Sequence, residues 1–576
     1  MTAPDPASFD IAAFLASGPN PAEAALLAHA AAGTLCQFAA TRPDPADPAA
    51  PRIRVGLLGH LVTGGSARAP VAPQGIRLIG AVIDGPLDLS FTEARGETDL
   101  RLCAFTHALV ARRTRFAQLV LSGSLLPGLM AEGAEIAGSA FFLALDATAR
   151  LSLANAAIGG QLALHGAHLK GLTAQGARIG ASAYLRASQT RPFLSEGEVS
   201  LANASIDGQL ACDGARFLNP GGTALTLQAA EITGDVFFRD HGMSPFQAQG
   251  EVRLSGARIG GQLDCASAEF SNPGGRALSG QRMEVAAEFF WQKVTVHEGS
   301  LHLPSARVGD LVDDLASWPP QGRTYLDGFT YDRITRDAPT DAATRLLWLK
   351  RCARSAEGRF LPQPYGQCAK VLYAMGHEAE ARRLLEAQAR LKGRARRAAA
   401  RARGRWGRGL ALLDGIWDTA ARAVVGYGYA PFRALAWVAG LILLAATLAA
   451  FSWSEGSFAP NNDLVAASEG WAAMLAQDCL PDPAPGCLQN PAAAWNGPAG
   501  AGVDWETFQP LAWGADLVIP VVDLGQTAAW QPSPARGAWG HALWWARWPL
   551  IYAGWIVTAL AAAAATGIIQ RGPPTG

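Results

Sequence analysis

Two cysteines recur at one position of the chain's repeated segments, and cysteine is a residue type that can bind a soft metal or act as a nucleophile. Cys212 and Cys265 stand where Leu164, Leu185 and Phe238 stand in other copies of the repeat. A position shared with leucine and phenylalanine is typical of a protein interior. We therefore interpret both cysteines as buried side chains and not as metal ligands.

Histidine occurs in two close pairs, His165 with His168 and His297 with His302. Zinc sites combine such histidines with cysteine or carboxylate ligands at defined spacing, and neither pair belongs to such a set. We expect no metal-binding residue in this chain.

The motifs of common catalytic and cofactor sites are missing from the sequence. It has no Gly-x-Ser-x-Gly and no phosphate-binding loop, and GYGYAP (426–431) has proline where a dinucleotide fingerprint needs its third glycine. Asp313 and Asp314 are adjacent, so on a strand they would point to opposite faces and could not share acid–base work. We expect no catalytic residue and no cofactor.

Cys479 and Cys487 differ from the other cysteines, because three prolines lie between them. They fall in a loop that we place outside the cytoplasm, as argued below. An oxidising compartment would allow the two thiols to close a small disulfide loop. We predict this disulfide, and two free thiols are the alternative if the topology is inverted.

A strongly basic run lies between Arg390 and Arg408, with nine basic residues in nineteen and no acid. We expect it to contact anionic lipid headgroups, because it precedes a predicted membrane helix; a solvated helix face is the alternative. Nucleic acid is not expected, because only Trp406 interleaves with the bases and the whole chain balances 48 bases against 48 acids. The basic residues are Arg390, Lys392, Arg394, Arg396, Arg397, Arg401, Arg403, Arg405 and Arg408.

Two apolar stretches are predicted to be transmembrane helices, about 432–451 and about 548–569. Each has about 20 residues, enough to cross a hydrocarbon core of about 30 Å. The segment VVGYGYA (424–430) resembles a potassium-channel filter, but it precedes the first span and has no pore helix. We interpret it as a turn between an interfacial amphipathic helix, about 409–424, and that span. The apolar segment 508–524 contains prolines and aspartates, so we interpret it as interfacial or packed rather than as a third span.

The basic run determines the expected topology, because bases concentrate on the cytoplasmic side of membrane helices. The segment 454–547 has two bases and nine acids. The sequence therefore predicts a multi-pass protein of the bacterial inner (plasma) membrane, with both termini in the cytoplasm. The N-terminal residues lack the basic start and apolar run of a signal peptide.

A nine-residue unit, Ala-x-Ile-x-Gly-x-apolar-x-apolar, recurs through the first half of the chain. Clear copies are AAIGGQLAL (156–164), ASIDGQLAC (204–212) and ARIGGQLDC (257–265). Its central apolar residue falls at positions 83, 105, 136, 158, 179, 206, 232, 259, 285 and 308. A spacing of twenty-odd residues indicates a solenoid, and apolar alternation inside the unit indicates strands. A leucine-rich repeat lacks support, because its Asn/Leu pattern is absent.

We predict a mainly β protein built on a right-handed parallel β-helix of ten coils. The small alanine and the glycine of each unit would lie where the wall bends, with glycine relieving the backbone at a corner. FLNPGG (217–222) and FSNPGG (270–275) should form matching turns on one face. Helices at Phe9 to Leu15 and Pro21 to Ala40 would cap the first coil, and 315–340 should be irregular.

Several segments in order resemble those of uncharacterised bacterial inner-membrane proteins with a pentapeptide-repeat-like, β-helical cytoplasmic domain and two C-terminal transmembrane helices. They are PQPYGQ (362–367), GHEAEA (376–381), GYGYAPFRAL (426–435), IPVVDLGQ with a following WQP (519–532), and GWIVTAL with TGIIQR (554–571). The resemblance implies this fold and this membrane location. It implies no activity.

The sequence thus predicts four regions. A helical cap with a Pro-rich linker (1–74) precedes the β-helix (75–314). An irregular cap, a helical hairpin and the basic juxtamembrane segment (315–425) follow, and the membrane domain is 426–576. We expect a membrane-anchored scaffold that offers a cytoplasmic docking surface to a protein partner or to a second copy of the chain. The alternatives are an enzyme with a groove on the β-helix wall, which would need exposed acids in register that the copies do not show, and a two-helix signalling or transport component.

Overall fold

The structure is a computed structural model that describes residues 9–242, 244–351, 360–428, 432–480 and 484–566. It divides the chain into two compact units, Met1–Leu384 and Leu385–Gly576. The first contains the β-solenoid, and the second contains the basic run and the helices that follow it.

The described helices are α1 (Ile11–Ala16), α2 (Pro21–Ala32), α3 (Val55–Val62), α4 (Ala342–Lys350), α5 (Gln363–Ala374), α6 (Glu378–Arg401), α7 (Arg405–Val425), α8 (Phe432–Ser454), α9 (Asp463–Ala466), α10 (Glu469–Leu475), α11 (Pro491–Trp495), α12 (Pro510–Val518), α13 (Gln526–Ala529) and α14 (Ala538–Ala565). The strands of the first half are β1 (Cys36–Gln37), β2 (Arg52–Arg54), β3 (Gly65–Ser66), β4 (Ala69–Pro70), β5 (Gly75–Ile79), β6 (Val82–Asp84), β7 (Leu87–Asp88), β8 (Glu97–Arg101), β9 (Ala104–Phe105), β10 (Leu109–Val110), β11 (Arg115–Phe116), β12 (Gln118–Val120), β13 (Leu125–Leu126), β14 (Leu129–Met130), β15 (Glu135–Ile136), β16 (Ala140–Phe141), β17 (Asp146–Ala147), β18 (Leu151–Ser152), β19 (Ala157–Ile158), β20 (Leu162–Ala163) and β21 (His168–Leu169). The remaining strands are β22 (Leu172–Thr173), β23 (Arg178–Ile179), β24 (Ala183–Tyr184), β25 (Leu194–Ser195), β26 (Val199–Ser200), β27 (Ser205–Ile206), β28 (Leu210–Ala211), β29 (Arg216–Thr226), β30 (Glu231–Ile232), β31 (Val236–Phe237), β32 (Gln247–Arg253), β33 (Arg258–Ile259), β34 (Leu263–Asp264), β35 (Glu269–Ser279), β36 (Glu284–Trp291), β37 (Thr295–His302), β38 (Arg307–Asp313), β39 (Thr324–Tyr325), β40 (Thr330–Ile334), β41 (Phe458–Pro460) and β42 (Trp530–Pro532).

The repeat folds into a parallel β-solenoid of about 11 turns, as its period predicts. Its strands belong to one sheet of 20 strands and one of 18. The central isoleucines stack in register, Ile206 on Ile232 and Ile232 on Ile259. A typical turn has four strands of two residues each, such as β19 to β22, and each strand turns one side chain inward.

Glycine in the repeat acts differently from the corner role that we predicted. Gly138 and Gly234 do not have the left-handed φ that favours glycine. A Cβ on Gly138 would instead lie 2.9 Å from the carbonyl oxygen of Ala117 in the preceding turn, and one on Gly234 would lie 2.8 Å from that of Gly208. Glycine is therefore needed because successive turns approach too closely for a side chain.

An unbroken series of buried aromatic rings runs through the later turns of the solenoid. Neighbouring rings lie 5.2 to 6.1 Å apart between centroids, a usual separation for packed aromatic pairs. The series continues from the last turns into α4. The rings are Phe193, Phe217, Phe246, Phe270, Trp291, Trp318 and Trp348.

Side chains from α2 cover the first strand edge of the 18-stranded sheet. Asn20 Nδ2 donates to the carbonyl oxygen of Arg52 at 2.8 Å, and Glu23 Oε1 accepts from the backbone N–H of Arg54 at 3.1 Å. The second predicted cap helix is shorter than expected: it ends at Ala32, and Cys36 lies in β1 instead. Gly33, in the left-handed conformation, ends the helix and lets the chain turn into the sheet.

The other end of the solenoid is more regular than the sequence indicated. The segment 315–340 contains β39 and β40, which continue the two sheets by pairing with β37 and β38. The last edge is met by side chains from α5. Gln363 accepts from the N–H of Gly328 at 3.0 Å and donates to the carbonyl of Phe329 at 3.1 Å, while Gln367 donates to that of Tyr331 at 2.7 Å. The solenoid therefore extends past both predicted boundaries, 75 and 314.

In the second unit, α8 is long and apolar enough to cross a membrane, and only 22% of its most apolar stretch is buried. It is the one such helix among the described residues. The second predicted span, about 548–569, falls on α14, and the part of that prediction beyond residue 566 lies outside the described residues. The predicted packed segment forms α12, whose Val518 lies in one apolar cluster with Ala445 of α8 and Leu550 of α14.

Candidate functional site

The solenoid carries a row of alternating charges along the 20-stranded sheet. Glu231, Arg258, Glu284 and Arg307 occupy the outward position just before the buried apolar residue in four successive turns, and they pair in register. Arg258 lies 2.8 Å from Glu231 and 3.8 Å from Glu284. We call these four residues the charge ladder. Exposed ion pairs of this kind contribute only about 0–1 kcal/mol each to stability. Their side chains can therefore exchange one ion-pair partner for another at little cost in free energy.

The charge ladder borders the groove of the solenoid wall, which has a volume of about 680 Å³. Small residues of the same turns line its floor, because the close approach of successive turns excludes larger ones. They are Thr233, Gly260, Ala286 and Gly309, and Thr330 and Asp332 close the end of the groove. Its accessible chemistry is alternating charge above an exposed backbone.

The expectation that no exposed acids lie in register was wrong. Glu135, Glu231 and Glu284 share one repeat position with Arg115 and Arg258, because the residue before the isoleucine always points outward. The sequence shows this as a charged second residue in the unit. The acids do not form the adjacent carboxyl pair of a glycosidase, since Arg258 separates Glu231 from Glu284.

A second outward column has an aromatic residue in every second turn. Tyr184, Phe237 and Phe290 are separated by Ala211 and Asp264, and an arginine lies over each ring. The guanidinium carbons and ring centroids are 5.2, 4.1 and 5.1 Å apart for the pairs with Arg186, Arg239 and Arg336. Burial raises the pKa of Asp264, which also contacts Arg239. These contacts stabilise the wall and leave little of it free for a ligand.

Cys212 and Cys265 lie inside the solenoid with no exposed surface, as the repeat position predicts. Burial raises the pKa of both thiols well above the usual value, so they are held as unreactive thiols. Among the described residues, no group of three or more His, Cys, Asp or Glu side chains is placed to hold a metal ion.

The histidines of each pair diverge in the structure. His165 stacks on Tyr184 with centroids 5.3 Å apart, and His168 lies 3.4 Å from Glu196. His297 lies 3.8 Å from Glu269, whereas His302 stacks on a tyrosine of the next turn. The four rings therefore serve separate contacts.

Asp313 and Asp314 also point to different partners. Asp313 is buried and receives two bonds from Arg345, at 2.8 and 2.9 Å, and one from the indole of Trp318 at 2.7 Å. Asp314 instead accepts from the backbone of Lys293 at 2.7 Å. The pair thus has structural roles on two sides of β38.

The two NPGG segments fall at equivalent places in alternate turns, as predicted. They lie within β29 and β35, on either side of β32. Asn219 donates to the carbonyl of Thr223 at 2.8 Å, and Asn272 donates to that of Arg276 at 2.7 Å. Each asparagine closes its own local loop.

The basic run is divided between two helices. Arg390 to Arg401 lie on α6, Arg403 lies in the turn, and Arg405 and Arg408 begin α7. The helices are joined by ion pairs: Arg396 contacts Asp414, and Arg397 lies 2.9 Å from Asp418. The turn at Gly426–Gly428 follows α7, and Tyr427 there takes a left-handed φ of 59° and donates to Asp418 at 3.1 Å. This matches the predicted turn between an amphipathic helix and the first span. Val424 and Val425 end α7, and Tyr429 and Ala430 lie outside the described residues.

Cys479 and Cys487 are joined by a disulfide in the structure, with Cα atoms 4.9 Å apart. The bridge closes a loop whose base is also held by the backbone, since Cys479 N–H donates to the carbonyl of Leu488 at 3.0 Å. Beside it, Arg536 lies 3.2 Å from the buried carboxylate of Asp478. The aromatic cluster of this unit, which includes Trp471, Trp495 and Trp530, lies in the same segment.

No protein-family model, curated protein or solved structure matches this chain. The resemblance to bacterial inner-membrane proteins therefore has no support from relatives, and function has to be argued from the geometry alone.

Proposed function

We propose that this protein is a membrane-anchored β-solenoid that presents a docking surface to a protein partner. The observation that carries the proposal is that one chain joins an eleven-turn solenoid with a grooved, charged wall to a helix whose apolar surface is largely unburied. An apolar helix that the protein does not cover is typical of a lipid-facing span.

The topology is part of the proposal. We propose that the protein resides in a bacterial inner membrane and that α8 and α14 both cross it. The segment between these helices then lies outside the cytoplasm. The solenoid and both termini are then cytoplasmic. The concentration of arginine on α6 and α7 supports this orientation, and a disulfide in the intervening segment suits an oxidising compartment.

The docking surface is the groove beside the charge ladder. A partner segment whose acidic side chains meet Arg258 and Arg307, and whose basic ones meet Glu231 and Glu284, would complement this wall. Such alternation selects against partners of one charge sign, because like charges would face each other.

In-cell crosslinking of the full chain, followed by purification in mild detergent and mass spectrometry, tests the docking surface. The variant Arg258→Glu/Arg307→Glu makes the ladder uniformly acidic. The control Arg112→Glu/Lys170→Glu changes two exposed bases elsewhere on the solenoid. We expect one or a few proteins to be lost with the ladder variant and retained with the control.

Two results would contradict the docking surface. Equal recovery of partners with both variants would exclude the groove, and a bound metal, flavin or sugar in place of any protein would favour an enzyme. Topology has its own test: after reduction, Cys479 and Cys487 should react with a membrane-impermeant maleimide added outside the cytoplasm. Labelling only after the cytoplasm is opened would reverse the proposed orientation.

A further inference from the structure

The helices α6 and α7 enclose a groove of about 770 Å³ in the second unit. Its arginines come from one face of α6, since Arg390, Arg394, Arg397 and Arg401 follow one another at intervals of four, three and four residues. Arg422 faces them from α7. The spacing thus gathers only part of the basic run; the other basic residues of the run do not line the groove.

The groove carries more positive charge than its own carboxylates neutralise. Arg397 is engaged by Asp418 at 2.9 Å, and Arg390 by Glu386 at 3.1 Å. Among the ion pairs formed by described residues, none includes Arg394, Arg401 or Arg422. Three guanidinium groups therefore line one groove with no carboxylate partner, and an anion is the ligand that suits them.

Besides Asp418, Thr419 and Tyr427, the rest of the lining is apolar and continues to α8. Leu412 and Ile416 of α7 are 67% and 62% exposed, and Trp437 belongs to α8. The indole of Trp437 donates to the carbonyl of Ala423 at 3.1 Å, which fixes its ring at the end of the groove. A ligand that fits this lining has a negatively charged head and an apolar tail.

A second apolar stripe on α7 lies outside the groove. Trp406, Leu410, Leu413 and Trp417 recur at helical spacing and are exposed by 56% to 90%. A helix with such a stripe and basic neighbours lies in the interface between lipid headgroups and acyl chains. This depth brings the groove to the level at which lipid phosphates are found.

We propose that the groove binds one anionic phospholipid, with its phosphate among Arg394, Arg401 and Arg422 and its acyl chains against Leu412 and Ile416. This inference rests on the proposed membrane anchoring of the chain. A lipid is favoured over free phosphate because much of the lining is apolar. It is favoured over nucleic acid because the exposed side chains beside the arginines include the aliphatic Leu412 and Ile416, whereas single strands bind through series of stacked aromatic rings.

The experiment uses the full chain purified in a zwitterionic detergent and short-chain phosphatidylglycerol as the probe, with short-chain phosphatidylcholine, glycerol 3-phosphate and a single-stranded oligonucleotide beside it. The groove variant is Arg394→Gln/Arg422→Gln. The matched control, Lys392→Gln/Arg408→Gln, removes one base from each of the same helices at exposed positions that do not line the groove. Binding is followed by native mass spectrometry and by tryptophan fluorescence.

We expect saturable binding of phosphatidylglycerol, weakened about tenfold or more in the groove variant and by no more than about twofold in the control. Equal weakening in both variants would overturn the inference in favour of diffuse attraction to charge. Glycerol 3-phosphate binding as tightly as the lipid would indicate a free phosphate site, and tighter oligonucleotide binding a nucleic-acid site; either overturns it.

The proposed function fails separately from this inference. If the wild-type chain is released from membranes by alkaline carbonate, the membrane anchor itself is wrong. If the chain stays in the membrane and shows no preference for the anionic lipid, only the groove assignment is wrong. If the anchor is right, the groove variant should stay in the membrane as the wild type does, because α8 is unchanged.

Discussion

One buried arginine, Arg345, joins the last turns of the solenoid to the helices that follow. Its side chain is 1% exposed and binds Asp313, which is 2% exposed, through two parallel hydrogen bonds. Its Nε also donates to the carbonyl of Pro339 at 2.7 Å. A buried pair of this kind costs much free energy when only one partner is removed, because the other charge stays buried and alone.

Arg345→Met should therefore lower the free energy of unfolding by about 3–5 kcal/mol. The double variant Arg345→Met/Asp313→Asn should lose less than the sum of the two single changes, because no unpaired charge remains. Denaturant midpoints of the full chain in detergent measure all three. Additive losses would show that the two side chains do not act as a pair.

His302 makes the stability of the solenoid depend on pH. Burial, with the nearby Arg276, lowers its pKa from 6.5 to about 4, and its ring stacks on Tyr325 at 4.1 Å. Between these pKa values the unfolded chain binds a proton that the folded chain does not. Stability from this group is therefore complete above pH 6.5 and falls as the pH drops towards 4.

We expect His302→Asn to flatten this part of the stability curve. The check is the denaturant midpoint of wild type and variant at several pH values between 7.5 and 4. An unchanged slope in the variant would assign the pH dependence to other groups.

At this scale the sequence predicted burial better than it predicted contacts. Cys212 and Cys265 could be placed in the interior, because leucine shares their repeat position. The exposed acids of the charge ladder were not predicted, because the repeat pattern is defined by its apolar positions and does not constrain the residue between them. Arg345 could not be predicted at all, since its partner lies 32 residues away and no period connects them.

The close packing of α12 on α8 in the second unit depends on Gly514. A Cβ on Gly514 of α12 would lie 2.8 Å from the carbonyl oxygen of Ile442 and 2.9 Å from the N–H nitrogen of Ala446, both backbone atoms of α8. Gly440, also on α8, has open space where a Cβ would be. Substitution of Gly514 by alanine therefore tests close packing, whereas the same substitution at Gly440 tests helix propensity alone.

Gly514→Ala should force α12 away from α8 and lower the thermal stability of the full chain in detergent, by about 1–3 kcal/mol for overpacking. Gly440→Ala should leave it unchanged or raise it slightly, by up to about 1 kcal/mol. Thermal unfolding of both variants in detergent, followed by circular dichroism, gives the shift in Tm from which each free-energy difference is calculated. A larger loss from Gly440→Ala would place the helix contact elsewhere.

The sequence predicted helices and strands correctly where their apolar residues recur with a regular period. The solenoid strands and the hairpin of α5 and α6 have one, and Asp341 caps α4 as expected, accepting from the N–H of Thr344 at 2.8 Å. The strands at 324–334 were missed, because the last turns lose the Ala-x-Ile-x-Gly pattern and are held by pairing with β37 and β38 alone. Local propensity did not show that tertiary contact.

For the whole molecule, the open ends of the solenoid are the main hazard. Parallel sheets end in strands with unpaired backbone groups, which can pair with another chain. Here Gln363 binds backbone groups just before β40 and Gln367 binds one on β40, while Asn20 and Glu23 bind backbone groups on β2 at the other end.

Gln363→Ala/Gln367→Ala should increase the association of full chains while preserving the solenoid. We expect larger species by light scattering at unchanged far-ultraviolet circular dichroism. The control is Gln228→Ala, which removes an exposed glutamine from a middle turn. Association of the control to the same extent would mean that loss of glutamine side chains, and not the open edge, is responsible.

The fold of the whole chain was predictable only as far as its repeat extends. The second unit has helices that hydropathy identifies, but its aromatic cluster joins residues from Ala449 to Leu543 without any period. The groove between α6 and α7 forms where these two helices pack together. The order of charges along the chain does not show that packing. The arginines that α6 contributes were nevertheless visible as a basic run, whereas Arg422 lies outside that run.

The glutamines at the last turn also explain how the solenoids of separate chains are kept from stacking end to end. The open backbone of a terminal turn can pair with a matching strand of another chain, and that chain then presents an open turn of its own. Such stacking stops when the terminal turn is bound by a group that can pair on one side only. The carboxamides of Gln363 and Gln367 are such groups. Each has the donor and the acceptor of a peptide group but belongs to no strand with which a further turn could pair.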